Sequence, residues 1–248
     1  MTIRIRCHDG GIAVLTVDHP PVNALPARGW LDLASAIRRA GADEATRVLV
    51  LRAEGRGFNA GVDIKELAAD PGHQKLLEVN RGCYEAFRSV YDCPVPVIAA
   101  VHGFCLGGGI GLVGNADVLL ASEDATFGLP EVDRGALGAA THLLRLVPQH
   151  CARAMFYTGR TATARDLERF GSVWEVVAPE RLGTAAMELA AEIAAKDPLV
   201  VRKAKESLNG IDPVDVHRSY RFEQGFTFEL NLSGAAARAR GRFGREQG

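Results

Sequence analysis

The chain has 248 residues, with 29 Lys and Arg against 30 Asp and Glu, and 47% of its residues are hydrophobic. A chain of this length can bury a core large enough to fold without disulfides or a structural metal, which excludes the small cross-linked classes. Its formal charge of -1 supplies no basic field, so we expect no nucleic-acid or membrane partner.

The five cysteines are widely spaced and form no CxxC pair, so we expect reduced, mostly buried thiols and no metal site. The N-terminal residues lack the charged-then-apolar layout of a signal peptide. No apolar run approaches the roughly 20 residues that a membrane span needs. These features predict a cytoplasmic protein.

The first predicted elements alternate strand and helix. Alternating apolar residues on both sides of a turn at 9–11 predict a β-hairpin. Helical spacing over 27–42 and an apolar run at 48–51 predict a helix followed by a buried strand. A helix around 74–91 and a strand over 95–101 then repeat this order.

The second half of the chain becomes mainly helical. The expected elements are a strand at 118–121, helices at 138–146, 152–157 and 164–170, a strand at 173–177, and helices at 185–195, 199–208 and 214–242. The pattern predicts an α/β core over residues 1–180 and a C-terminal helical region over 181–248. Because no Ser/Gly-rich linker separates them, we expect one packed unit or a helical arm docked on a neighbour.

Two glycine-rich segments, 57–67 and 101–112, follow a predicted strand or extended segment. The second contains three consecutive glycines at 107–109, and glycines that open a helix leave free N–H groups close to a ligand. Neither segment has the Gly-Lys-Ser/Thr of a Walker loop or the spacing of a dinucleotide site. The triple glycine predicts an oxyanion hole, with tight packing between helix and strand as the alternative.

Together these segments resemble the crotonase (enoyl-CoA hydratase/isomerase) superfamily. Residues 60–66 read A-G-V-D-I-K-E, the triple glycine follows about 45 residues later, and residues 125–131 read A-T-F-G-L-P-E. The similarity extends from residue 21 to the helical C-terminus. It implies a crotonase-like ββα spiral core with C-terminal helices, assembled as homotrimers or dimers of trimers. It also implies an acyl-CoA thioester substrate that brings coenzyme A with it, and no separate cofactor.

The resemblance assigns the oxyanion hole to the backbone N–H groups of Ala60 and Gly108, which would hold the thioester oxygen. Two such donors in a dry pocket would stabilise an enolate formed at that carbonyl. Asp63 has the alternative role of capping the helix that begins beside it. The substrate-binding positions implied in these two motifs are Gly61, Asp63, Ile64 and Gly107.

The acid–base residues depart from the family pattern. Hydratases of the superfamily hold one water between two glutamates, and here the first of these positions is Gly111 while the second is Glu131. A single carboxylate must then serve as both base and acid, or another residue must replace the missing one. We therefore doubt ordinary hydration, and we expect Glu131 to be catalytic and Gly111 to lie at the substrate.

The stretch after Glu131 also departs from the family's P-G-x-G-G-T. It carries Asp133, Arg134 and His142, which could reshape the acyl pocket or, for Asp133 and His142, assist proton transfer. We list His142 as a substrate-binding residue, with a hydrogen-bonded structural histidine as the alternative. For Asp133 and Arg134 the alternative is a simple salt bridge.

An aromatic cluster lies in the long C-terminal helix predicted over 214–242. Family members lay this helix over an acyl pocket, sometimes that of a neighbouring subunit. Ordinary core packing is the alternative. The members of the cluster are Tyr220, Phe222, Phe226 and Phe228.

Both departures are shared by a narrower group, the ring-opening acyl-CoA hydrolases of bacterial steroid degradation. Residues 55–65, 109–117, 134–142 and 223–232 resemble that group. The resemblance implies hydrolysis of a carbon–carbon bond in a bicyclic keto-acyl-CoA. The alternatives are an enoyl-CoA hydratase or isomerase, and a non-catalytic CoA-binding homologue.

Overall fold

The computed structural model describes residues 1–68 and 73–246 of the chain. Its first half contains β1 (Thr2–His8), β2 (Ile12–Asp18), α1 (Ala27–Ala42), β3 (Val48–Ala53), α2 (Ile64–Ala68), α3 (Gln74–Tyr91), β4 (Val97–Val101), β5 (Phe104–Leu106), α4 (Gly108–Val113), β6 (Val118–Ser122) and β7 (Thr126–Gly128). A short 3-10 helix, Pro130–Arg134, follows.

The second half is mainly helical. It contains α5 (Ala140–Leu143), α6 (Gln149–Thr158), β8 (Thr161–Thr163), α7 (Ala164–Phe170), β9 (Glu175–Val177), α8 (Leu182–Ala194), α9 (Pro198–Gly210), α10 (Val216–Leu232) and α11 (Ala235–Glu246). In the described part of the chain, no helix is both long and apolar enough to cross a lipid bilayer.

The large sheet has six strands in the order β1-β2-β3-β4-β6-β9. Its first pair is antiparallel and the remaining pairs are parallel. A second sheet of three short strands has the order β5-β7-β8. Because both faces of a parallel sheet are covered, its central strands are apolar throughout, and every residue of β4 is buried.

Alternate residues of the large sheet enter two separate cores. Leu49 and Leu51 of β3 pack in the core that contains Trp30 of α1 and Phe87 of α3. Val50, one residue away from each, packs in the other core against α8. This alternation follows from the period of two along a strand. The core on the α1 and α3 side is the one that adjoins the cavity described below.

An ion pair between a buried lysine and a partly buried aspartate ties α9 to the sheet. Lys205 is 5% exposed, and its Nζ lies 2.6 Å from Asp117 Oδ2 and donates to the carbonyl of Val95 at 3.2 Å. Asp117 Oδ2 also accepts the N–H of Val97 at 2.7 Å. The pair is therefore hydrogen-bonded on both sides, as a buried charge requires.

The α/β prediction is confirmed, and the hairpin, the helix over 27–42 and the helix over 74–91 are observed. Two predicted helices were wrong in extent. The helix expected over 138–146 is only α5, because Gly138 and Ala139 have φ of +156° and +61°. The segment 214–242 is split into α10 and α11 by Gly234, whose φ is +72°.

Candidate functional site

A cavity of about 320 Å³ lies where α3, the start of α4, the 3-10 helix and α10 meet. Its walls are mainly apolar. It is lined by Ala60, Gly61, Val62, Ile64, Leu67, Leu76, Val79, Asn80, Cys83, Phe87, Gly107, Gly108, Glu131, Arg134, Ala136, Leu137, Gly138, Ala139, Tyr220, Thr227 and Arg240. Six of the nine site residues predicted from the sequence are among them: Ala60, Gly61, Ile64, Gly107, Gly108 and Glu131.

The glycines of both motifs make room for backbone and carboxyl groups at this cavity. Gly61 has a φ of +88°, and a β-carbon on it would lie 3.1 Å from the amide nitrogen of Gly108. A β-carbon on Gly107 would lie 2.5 Å from Glu131 Oε1. Any larger residue at 61 would crowd the amide of Gly108, and any larger residue at 107 would crowd the carboxyl of Glu131. Glycine at these two positions therefore lets the amide and the carboxyl come close to the backbone.

The two expected oxyanion donors differ in their present partners. Gly108 is the first residue of α4, so its N–H has no acceptor within the helix. The N–H of Ala60 donates to the carbonyl of Val22 at 3.2 Å. Both residues line the cavity, but a ligand oxygen would have to share the Ala60 N–H with Val22 or take it over.

Asn59 holds this part of the cavity wall in place, and the sequence reasoning missed it. It is buried, its Oδ1 accepts the N–H of Gly61 at 2.8 Å, and its Nδ2 donates to the carbonyl of Asn23 at 2.5 Å. Its backbone carbonyl accepts the N–H of Leu106 at 2.8 Å. The available signal was an asparagine directly before the A-G motif, where its short amide can bond to nearby backbone.

Asp63 is placed as a helix cap. Its Oδ1 accepts the N–H of Lys65 at 2.9 Å, at the start of α2. It does not belong to the residues that line the cavity, whereas its neighbour Ile64 does. The geometry thus matches the capping alternative for Asp63 and a wall position for Ile64.

Glu131 is half-buried at the cavity, and its Oε2 is shielded from solvent. Its Oε2 has no hydrogen-bond partner among the described residues. Burial raises the pKa of Glu131 from 4.5 to about 8, while the charge of Arg134 acts to lower this pKa and that of Glu223 to raise it. A carboxyl whose pKa lies near physiological pH can both accept and return a proton.

Gly111 does not lie in the cavity wall, contrary to our expectation. A β-carbon at Gly111 would overlap the ring of Phe87, which itself lines the cavity. The position at which hydratases of the superfamily carry a glutamate is therefore filled by an aromatic ring from α3. No space remains there for a second carboxyl group.

His142 also lies outside the cavity wall, because it is packed behind two of the lining rings. It is 1% exposed, with its ring centroid 5.1 Å from that of Phe87 and 5.0 Å from that of Tyr220. Neither ring nitrogen has a hydrogen-bond partner within the described ranges, so the hydrogen-bonded alternative was also wrong. Burial lowers the pKa of His142 to about 3, so the ring is neutral.

The 3-10 helix separates the side chains of Asp133 and Arg134. Arg134 lines the cavity. Asp133 lies beside Gly159 on the far side, since a β-carbon at Gly159 would be 2.6 Å from its Oδ2. Of the two, only Arg134 is thus placed to act on a ligand.

The aromatic cluster of α10 is divided between the cavity and the surface. Tyr220 is buried and lines the cavity. Phe222 and Phe226 are exposed and form an edge-to-face pair with centroids 5.1 Å apart. Phe228 is half-buried, so only one of the four rings belongs to the cavity wall.

Glu223, on α10, fixes the loop that lines the cavity and was missed as a functional candidate. Its carboxylate accepts the N–H groups of Ala140 and Thr141 at 2.8 and 2.7 Å, and the hydroxyl of Thr141. These contacts cap the start of α5, directly after the lining residues 136–139. A single acidic residue in an aromatic stretch of helix was the available signal.

A larger groove of about 730 Å³ lies on the opposite face of the large sheet, beside α8. Its acidic groups are already paired, since Glu54 bonds to Arg52 at 3.1 Å and Asp124 accepts from Ser122. None of the glycines of segments 57–67 and 101–112 lines it. Among residues 1–68 and 73–246, no group of three or more His, Cys, Asp or Glu is placed to hold a metal ion.

Comparison with known proteins extends these observations. The family model described as enoyl-CoA hydratase/isomerase matches residues 8–225. A Rhodococcus jostii protein is 64% identical over 94% of this chain and 90% of its own length. A Mycobacterium tuberculosis protein is 61% identical over 98% of both chains. Both are named (7aS)-7a-methyl-1,5-dioxo-2,3,5,6,7,7a-hexahydro-1H-indene-carboxyl-CoA hydrolase.

Solved structures share the fold over nearly the whole chain. An enoyl-CoA hydratase/isomerase from Xanthobacter autotrophicus Py2 superposes with a TM-score of 0.87 at 28% identity, covering 97% of this chain and 90% of that one. An enoyl-CoA hydratase from Mycobacterium smegmatis gives a TM-score of 0.81 at 29% identity, with 95% of each chain covered.

Proposed function

Because this chain belongs to the enoyl-CoA hydratase/isomerase (crotonase) family, we propose that it opens a ring of a bicyclic keto-acyl-CoA by hydrolysing a carbon–carbon bond. Two relatives with more than 60% identity are named for a hydrolase reaction on such a compound, a hexahydroindene with two ketones and a CoA thioester. The chain is accordingly an enzyme of this superfamily, with a CoA thioester as its substrate.

The observation that carries the proposal is that Glu131 supplies the one carboxyl group among the described residues that line the cavity. Gly111 replaces the partner carboxylate, and the ring of Phe87 fills the space beside it. Addition of water across a double bond uses two positioned carboxylates in the hydratases of the superfamily. Hydrolytic ring opening needs one group that takes a proton and later returns it, which suits a single glutamate with a pKa of about 8.

The proposed reaction balances with one water. Glu131 takes a proton from water, and the hydroxide adds to a ring ketone to give a tetrahedral alkoxide. The bond from that carbon to a ring carbon conjugated with the thioester then breaks, and its electron pair is delocalised into a thioester enolate. The protonated Glu131 returns its proton to that carbon, and the new carboxylic acid loses its own proton to solvent.

The enolate oxygen would be held by the amides of Gly108 and Ala60. In comparable sites, one preorganised oxyanion donor contributes about 3–4 kcal/mol to transition-state stabilisation. Gly108 supplies an N–H with no acceptor in its helix, and the 3.2 Å bond from Ala60 to Val22 is long enough to be shared with a charged oxygen. Gly61 and Gly107 would contribute because they place no side chain next to the amide of Gly108 and the carboxyl of Glu131.

The assembly and location of the protein stay predictions. We propose a homotrimer or a dimer of trimers, and the exposed pair Phe222 and Phe226 offers an apolar surface suited to contact between subunits. A cytoplasmic location and the absence of any cofactor other than substrate-borne coenzyme A are retained as predictions from the sequence. Sedimentation of the purified protein would measure the oligomeric state.

The function is tested by incubating the enzyme with the hexahydroindene-dione carboxyl-CoA in water enriched in ¹⁸O. We expect a product heavier by one water, with the label in a new carboxylate and the thioester intact, and no such product from Glu131→Gln. Unchanged substrate together with rapid hydration of crotonyl-CoA would overturn the proposal in favour of a hydratase. Unchanged substrate and no turnover of either compound would instead favour a non-catalytic CoA-binding protein.

A further inference from the structure

Among the described residues, two arginines, Arg134 and Arg240, line the otherwise mainly apolar cavity. Arg134 stands three residues after Glu131 in the 3-10 helix Pro130–Arg134. Side chains at positions i and i+3 of a 3-10 helix lie above one another, and both of these side chains line the same cavity. The cation is therefore presented to the same part of a bound ligand as the carboxyl.

The backbone behind Arg134 is held tightly. Gly135 has a φ of +65°, and a β-carbon on it would lie 2.5 Å from the Cα of Ala236 in α11. The N–H of Ala136 donates to the carbonyl of Glu131 at 3.0 Å, which closes the turn. The base of the Arg134 side chain is thus fixed by α11 on one side and by the turn on the other.

The proposed reaction creates two negative oxygens, and the residues discussed so far account for one. The amides of Gly108 and Ala60 would hold the thioester oxygen. Addition of hydroxide places a second negative charge on the ring-ketone oxygen, next to Glu131, and ring opening converts this group to a carboxylate. A carboxylate formed in an apolar cavity beside Glu131 is unfavourable unless a cation accompanies it.

We propose that Arg134 binds the ring-ketone oxygen that water attacks, and then binds the carboxylate that ring opening leaves at the same carbon. This inference rests on the function proposed above. A guanidinium presents two parallel N–H donors that match a carboxylate, and its charge is permanent. The residue would also select for substrates with a ketone at this place, because a simple enoyl-CoA has no group there to accept its hydrogen bonds.

The test compares Arg134→Gln and Arg134→Lys with Arg242→Gln, in which an exposed arginine of α11 loses the same charge. For Arg134→Gln we expect kcat for ring opening to fall by about 100-fold, since one stabilising donor of an oxyanion is lost. Affinity for the purified ring-opened product should fall by at least about tenfold, with partial recovery in Arg134→Lys. Arg242→Gln should match the wild type.

The pH profile provides a readout that a purely structural role would not change. The charge of Arg134 acts to lower the pKa of Glu131, so Arg134→Gln should move the rise of kcat/KM to higher pH. A thermal melt of each variant separates loss of folding from loss of function.

Two outcomes would be decisive against the inference. If the wild type opens the ring and a folded Arg134→Gln keeps kcat and product affinity within about twofold, the role of Arg134 is overturned while the proposed function stands. If the wild type does not open the ring at all, the proposed function fails, and the inference about Arg134 fails with it.

Discussion

The ring of Phe87 occupies the volume that any side chain on Gly111 would need. Both residues are fully buried, one on α3 and the other on α4, and the ring also touches His142 and Tyr220 through edge-to-face or tilted contacts. At the position where hydratases of the superfamily carry a glutamate, this chain has a glycine, and the ring of Phe87 packs against it. The change removes one acid–base group and shapes the cavity wall at the same time.

Gly111→Ala should lower the free energy of unfolding by about 1–3 kcal/mol, because a methyl group forced against Phe87 overpacks the core. The double variant Gly111→Ala/Phe87→Leu should lose less than the sum of its single variants, because the smaller side chain yields space. Urea denaturation measures both. As a control, Gly183→Ala places a methyl group where nothing lies within 4 Å, and it should leave stability unchanged or higher. Additive losses in the double variant would contradict the packing relationship.

The activity should rise with pH in a way that reports Glu131. Its pKa is raised to about 8 by burial, and only the ionised carboxylate can take a proton from water. We expect kcat/KM to rise about tenfold per pH unit below that value and to level off above it. The measurement is a pH series on the ring-opening reaction with the folded state monitored in parallel. A flat profile from pH 5 to 9 would argue against Glu131 as the base.

Glu223→Gln should move that pH profile in the opposite direction to Arg134→Gln. The charge of Glu223 raises the pKa of Glu131, so its removal should shift the rise of kcat/KM to lower pH. Glu223→Ala also leaves the N–H groups of Ala140 and Thr141 without their acceptor, and it should cost about 1–3 kcal/mol of stability. Glu229→Gln, on an exposed position of the same helix, is the control. If the pH profile of kcat/KM is not shifted in a folded Glu223→Gln variant, the charge of Glu223 does not influence the pKa of Glu131.

His142 should make the protein sensitive to acid. Its folded-state pKa of about 3 lies below the ordinary value of 6.5, so the unfolded chain binds a proton that the folded chain does not between these values. Stability therefore falls as the pH is lowered through this window, by about 2 kcal/mol between pH 7 and 5 from this group. His142→Leu should lose that part of the dependence. His150→Asn, at an exposed position, should retain it, and equal acid sensitivity in all three proteins would refute the assignment.

Lys205→Met should destabilise the fold by about 3–5 kcal/mol, because it leaves Asp117 partly buried without its cation. Lys205→Met/Asp117→Asn should recover part of that loss, although the asparagine must still accept the N–H of Val97. Denaturant titration gives the three free energies. Activity per folded molecule should be unchanged, since α9 supplies no residue to the cavity wall. A loss below about 1 kcal/mol for Lys205→Met would show that the pair is unimportant.

Much of the fold could be predicted because its elements carry strong local patterns. The helix over 27–42 has apolar residues at helical spacing, and its observed bounds agree. The strands of the small sheet, such as β5 and β8, have three residues each, which is too short for any period to emerge. Their pairing depends on contacts between distant segments.

Candidate site residues could be predicted where a local motif carries the signal. Gly107, Gly108 and Glu131 line the cavity, and they were predicted because their motifs resemble those of the crotonase superfamily and because glycine permits close backbone approach. The burial of Gly111 beneath Phe87 depends on residues 24 positions apart meeting in space, as does the packing of His142. No sequence period encodes such contacts, so the sequence did not indicate that Gly111 and His142 lie outside the cavity wall.

The alternation of β3 between two cores has a practical consequence for anyone who wishes to alter this enzyme. Leu49 and Val50 are adjacent in the chain, but Leu49 packs in the core with α1 and α3, whereas Val50 packs in the core with α8. Stabilising substitutions are best made in the core beneath α8, because that core does not adjoin the cavity. Substitutions meant to change the substrate range belong in the core on the α1 and α3 side, where each change affects both the stability of the fold and the shape of the cavity.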